Sequence, residues 1–264
     1  MGVSAPRLHV ITAMASDLAL VLRRGPSRQV ASLLWNRKTG DVQLGQWLKG
    51  RIYEHRSDLS PDGRHMIVFA GTGTKWWTAI SRAPYLRALT YIERSHTWHG
   101  GGAFTRDGSV FFNGFHGPDD LPDGLRRADQ TAFPHGTDGF HMGGLYAARM
   151  ALRGWVDRGG EGYHMVLEKP LNDRWLLRQT VEQGARDRGL VSTSCALVER
   201  ETQASSEPGW EWAEPWKRGV QFAQEGALWF ASLGKDGLEE PALIHDFSDM
   251  EFENCTAPYE GIRA

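Results

Sequence analysis

The chain has 264 residues, 41% of them hydrophobic, with a formal net charge of -2. That length suits one large all-β domain, and the scattered Lys and Arg offer no basic footprint for a nucleic-acid partner. No apolar run approaches the roughly 18 residues that span a bilayer, and two cysteines, Cys195 and Cys255, are too few for a disulfide framework, so a cytoplasmic protein without a membrane partner is expected.

Residues 1 to 7 read as a loose or strand-completing tail. The apolar stretch that follows is interrupted by His9 and Asp17, which suits inner strands better than a cleaved signal. Ala13, Asp17, Leu20 and Val21 form a first hairpin pattern, with the run ASLLWN around Leu34 as its third strand. Next comes SDLSPDGRHMIVFAG, from Ser57 to Gly71. Proline presets φ, aspartate bonds its own backbone and glycine accepts positive φ, so Ser60 to Gly63 is a tight turn. His65 to Phe69 is then a strand covered on both faces. Its SPDG turn resembles the blade hairpin of TolB-type and WD-repeat β-propellers.

The spacing recurs. Leu59, Gly63, Met66 and Ile67 share it with Phe104, Gly108, Phe111 and Phe112, and with Phe222, Gly226, Trp229 and Phe230. Seventeen residues beyond the turn position lie Leu34, Ile80 and Leu243, each in a strand-like run. After Gly108 this second spacing fails. There, residues 115–140 read as a loop insertion rich in Gly, Pro, Asp and His, before a third strand expected at Leu145 to Val156. The propeller resemblance therefore implies a single all-β propeller of five four-stranded blades, at about 9–53, 55–97, 98–159, 160–216 and 217–258. A sandwich of irregular meanders would explain the strands but not the repeated spacings. Within the fourth repeat Val191 to Glu199 is a strand and Glu201 to Pro208 a polar loop; in the fifth, ALIHDFSDMEFENC is a hairpin.

Chemistry-bearing motifs are sparse. Gly71 to Lys75 lacks phosphate-loop spacing, and no dinucleotide fingerprint or GxSxG appears, so no cofactor is expected. His99, His116, His135 and His141 are the candidate metal ligands, although no HxH, HExxH or CxxC spacing joins them. Solvated histidines on glycine-rich loops are the simpler reading. Trp210, Trp212 and Trp216 alternate with acids, which suits packing between strands or, if exposed, a binding surface. A propeller gathers inner strands around a channel, and Glu54, His55, Arg56, His99, His164 and Arg218 are the candidate ligand-binding residues at its mouth. The function expected is non-catalytic: a binding or scaffolding module for a protein partner or small ligand. The alternative is a hydrolase, either glycosidase-like through Asp58 and Glu161 or metal-assisted through His99 and His164.

Overall fold

The computed structural model describes residues 5–25, 29–161, 164–184 and 191–261; the first four residues of the expected tail lie outside them. The protein is all-β, built of successive antiparallel sheets. It divides into two compact units, Val10–Arg153 with Glu251–Ala264, and Gly154–Met250 with Met1–His9.

The first sheet is the meander β1 (Arg7–Thr12), β2 (Leu18–Arg24), β3 (Gln29–Asn36) and β4 (Val42–Lys49). The second holds β5 (Arg51–Ile52), β6 (Asp58–Leu59), β7 (His65–Thr72), β8 (Lys75–Arg82) and β9 (Ala88–Arg94), with β5 and β6 both paired to β7. A two-stranded hairpin follows, β10 (Gly102–Phe104) and β11 (Val110–Phe112). Strand β7 is apolar on both faces because both faces are covered: six of its consecutive residues, Met66 to Gly71, are buried. Leu20, Leu22, Ile52, Leu59 and Met66 are each fully buried in one cluster of this unit, a contribution of about 1.5–3 kcal/mol per large side chain.

The turns explain the repeated spacing. In Ser60–Gly63 the Gly63 N–H donates to Ser60 O at 2.9 Å, the Ser60 hydroxyl donates to Asp62 Oδ1 at 2.6 Å, and the Arg64 N–H donates to the same oxygen at 3.0 Å. Thr105 to Gly108 repeats this: Gly108 N–H to Thr105 O at 3.1 Å, the Thr105 hydroxyl to Asp107, and Ser109 N–H to Asp107 Oδ1 at 3.3 Å. Gly63 and Gly108 sit at φ of 78° and 83°, where a Cβ is penalised. The third hairpin differs, since Glu225 and Gly226 at φ of 50° and 79° form the two-residue turn that suits twisted strands. Leu59 pairs with Met66 and Phe222 with Trp229 as the spacing requires, whereas Phe104 pairs with Val110, one residue short of it. The expected third strands are present, with Leu34 opposite Leu20, Ile80 opposite Ile67 and Leu243 opposite Trp229.

Three expectations are corrected. Leu145 to Val156 is not a strand: Met142–Ala147 is a π-helical turn that runs into α1 (Ala148–Leu152). Ala, Leu, Met and Arg dominate Met142–Leu152 and no β-branched residue occurs there, a composition that favours helix; Gly154 at φ 85° follows its end. The segment after Asp246 forms no hairpin, for the last strand among the described residues ends there and residues 247–261 are irregular. Phe252 of that segment packs on Trp47 with ring centroids 6.0 Å apart. Finally, the loop expected over Glu201 to Pro208 is shorter, because a strand begins at Ser205.

In the other unit, β12 (Val156–Asp157), β13 (Met165–Pro170), β14 (Trp175–Gln183), β15 (Val191–Glu199) and β16 (Ser205–Trp210) form one sheet in chain order. The next is β17 (Trp212–Trp216), β18 (Gly219–Gln224), β19 (Ala227–Ser232) and β20 (Ala242–Asp246). Trp210 and Trp212 are buried; Trp210 stacks on Phe222 with centroids 4.5 Å apart. No helix among the described residues is long and apolar enough to cross a membrane.

Candidate functional site

Of the polar residues that lead into β6 in the 10–153 unit, Glu54, His55 and Asp58 are buried and Arg56 is half-buried, each with partners distant in sequence. Glu54 and His55 lie in a single 3-10 turn, Glu54–Arg56. Glu54 forms an ion pair with Arg24. The His55 ring meets Tyr146 edge-on at 4.7 Å, and burial lowers its imidazole to about 4. It is therefore neutral at physiological pH. Arg56 packs over Phe140, 4.1 Å from the ring centroid, and donates to Thr97 O. Its guanidinium fastens the loop that leads to Gly101, whose backbone abuts Arg56 so closely that a Cβ there would lie 2.1 Å from the carbonyl oxygen.

Asp58 is fully buried. One carboxylate oxygen accepts from Arg153 Nη2 at 2.7 Å and the other from the Phe104 N–H at 2.9 Å. Arg153 also donates to Thr12 O at 2.9 Å. Arg149, buried next to it, reaches Glu54 O at 3.4 Å, and burial lowers its pKa. This constellation ties α1 to β6, β10 and the Glu54 turn.

The histidines occupy separate places. His99 is half-buried, edge-on to His96 at 5.0 Å, with its ring over Gly114. His116 and His135 are exposed, and exposed His141 sits 3.5 Å from Asp138 and 5.2 Å from the Trp98 ring. Among the described residues no three His, Cys, Asp or Glu side chains form a group able to hold a metal ion. Glu161, His164 and Arg218 belong to the 154–250 unit and are exposed; His164 lies 3.8 Å from Glu182.

A cleft that sequence reasoning did not assemble opens in the same unit, with a volume of about 540 Å³. Trp175 at the start of β14, Leu197 and Glu199 on β15, Ser205 and Ser206 on β16, Trp210, Phe222 and Gln224 line it with the loop residues Asp236, Leu238 and Pro241. Its size falls in the range of small-molecule sites, about 300–1,000 Å³. Where β15 passes the cleft, its pairing with β16 slips between Cys195 and Leu197; such irregularities re-aim side chains. Glu199 accepts from the Thr202 hydroxyl at 2.7 Å and from Arg174 Nε at 2.6 Å, which keep its carboxyl below the usual range. The Trp175 indole N–H is buried without a hydrogen-bond partner among the described residues. Asp236 is 92% exposed at the rim. Trp210 was singled out in the sequence; Trp175 and Glu199 carried no local signal, because only the pairing of β14 with β15, Trp175 opposite Glu199, brings them together.

No protein-family model and no curated protein matches the chain. Among solved structures, the 1.18 Å crystal structure of uncharacterized protein lmo1340 from Listeria monocytogenes EGD-e is similar over 92% of this chain and 67% of that one. With 9% identity and a TM-score of 0.33, neither fold nor function is carried across.

Proposed function

We propose that the chain is a non-catalytic binding module of the five-bladed propeller type, with the aromatic cleft of the 154–250 unit as its ligand site. The propeller reading is supported by five antiparallel sheets, of two to five strands each, that follow one another along the described residues and by the shared hydrogen-bonded turn of the second and third. The single observation that carries the binding reading is the cleft itself, an apolar floor with a few fixed polar groups at its rim. A protein segment or a small molecule is the partner. This moves the ligand away from the residues expected at a channel mouth, since Glu54 and His55 are buried with their own partners.

The hydrolase alternative gains no support from Asp58. A carboxylate without solvent exposure, whose two oxygens are held by Arg153 and the Phe104 N–H, is placed to fasten structure rather than to meet a glycoside. The test is retention of a ligand from the source cell's extract by immobilised wild type and by the Trp175→Leu variant, read by mass spectrometry. A compound retained unchanged by wild type and lost by the variant supports the reading. Equal retention by both, or conversion of the compound on the column, contradicts it.

A further inference from the structure

We infer that the ligand of this cleft is an organic cation carried on an apolar body; the inference rests on the cleft being the binding site. Three aromatic residues, Trp175, Trp210 and Phe222, line it, and its two charged lining residues, Glu199 and Asp236, are both acidic. The segments that form its rim continue this bias. Residues 199–206 and 235–240 contain Glu199, Glu201, Asp236, Glu239 and Glu240 against Arg200 and Lys235, and with Arg174, which bonds Glu199 at 2.6 Å and lies 4.0 Å from Asp236, the acids still exceed the bases by two. A negative rim around a low-dielectric floor attracts cations and repels phosphates and carboxylates.

The molecule already holds one cation by this chemistry. The Arg174 guanidinium lies 5.0 Å from the centroid of the Trp175 ring while its Nε donates to Glu199 at 2.6 Å. An aromatic face attracts positive charge through its quadrupole, most strongly when the cation is desolvated. A carboxylate nearby adds to the same field. A neutral polyol would donate hydrogen bonds to the acids but carries no charge for the ring faces and the rim to attract, whereas an ammonium or guanidinium group with an apolar stem uses both the floor and the rim. The source is either a free ammonium compound or a basic side chain of a peptide.

Choline and its neutral isostere 3,3-dimethyl-1-butanol differ in charge at nearly equal shape, and titration calorimetry with both tests the inference. Choline should bind wild type about tenfold more tightly or better, as a desolvated cation–π contact with a carboxylate nearby requires. Glu199→Gln and Trp175→Leu should each remove most of that advantage, and Asp236→Asn, at a 92% exposed carboxylate, about a factor of two. Near-UV circular dichroism checks that each variant is folded. N-acetyl-arginine amide is the third probe: tighter binding than choline makes a peptide side chain the source, weaker binding a free ammonium, and both keep the cation. Equal binding of choline and the alcohol, tighter binding of 3,3-dimethylbutanoate, or no binding of choline overturns the inference. Equal binding that still depends on Trp175 leaves the cleft as a site for another ligand; a ligand retained from extract that ignores Trp175→Leu removes the site altogether.

Discussion

Replacing Asp58 separates a structural carboxylate from a catalytic one. Asp58 is fully buried and Arg153, 5% exposed at its side chain, bonds it at 2.7 Å; Arg149 is buried close by. Asp58→Ala leaves these two guanidinium groups without their shared anion and the Phe104 N–H without an acceptor. Breaking one side of a buried ion pair costs about 3–5 kcal/mol, a large share of the roughly 5–15 kcal/mol that holds a domain folded. At about 2–4 °C per kcal/mol for a chain of this size class, the melting temperature should fall by about 6–20 °C. Asp58→Asn keeps an acceptor for Phe104 but loses the charge, and should fall between wild type and Asp58→Ala. Differential scanning calorimetry of the three proteins is the assay. An Asp58→Asn protein that melts within a degree or two of wild type would refute the argument, because a carboxylate replaced without loss of stability is free for chemistry.

Gly63→Ala should destabilise more than Gly108→Ala: both glycines have positive φ, a backbone term of about 1–2 kcal/mol, but a Cβ at Gly63 would lie 2.7 Å from the Leu18 side chain while Gly108 faces open space. Urea denaturation of both variants checks this, and equal midpoints would count against it. Stability should also depend on His55 at acid pH. Its folded pKa of about 4 lies below the unfolded value of about 6.5, so the unfolded chain binds more protons between the two. Stability is therefore complete above pH 6.5 and falls by up to about 3 kcal/mol as pH drops towards 4, a slope that His55→Gln should flatten in pH-dependent denaturation. Cys195 is buried, which pushes its thiol up to about 12. It should resist a thiol reagent until the protein unfolds, whereas rapid labelling of the native protein would contradict its placement.

Local chemistry made much of the fold legible. The turn at Ser60–Gly63 and the strand after it depend on neighbours in sequence, and Val191–Glu199 is a strand with the bounds expected. The helix at Ala148–Leu152 escaped because a repeat pattern was extended across a stretch whose own residues favour helix. The polar run from Glu54 to Asp58 looked solvent-facing because its partners are remote. Arg153 and Arg149 come 95 residues after Asp58 and Glu54 respectively, and nothing in the local sequence announces a neutralising pair at that distance. The cleft was illegible for a related reason. Trp175, Glu199, Phe222 and Leu238 become neighbours only once three strands and a loop have folded, and two of them are ordinary strand residues when read alone.

The 11 tryptophans provide the most direct test of where the ligand sits. Their indole N–H signals can be assigned by single substitution in a 15N-labelled sample and followed as the ligand retained from extract is added. The account predicts that Trp175 and Trp210, which line the cleft, shift saturably and that Trp98, exposed in the other unit, stays in place. Shifts at Trp98 with Trp175 and Trp210 unmoved would contradict it and return the site to the histidine-rich loops.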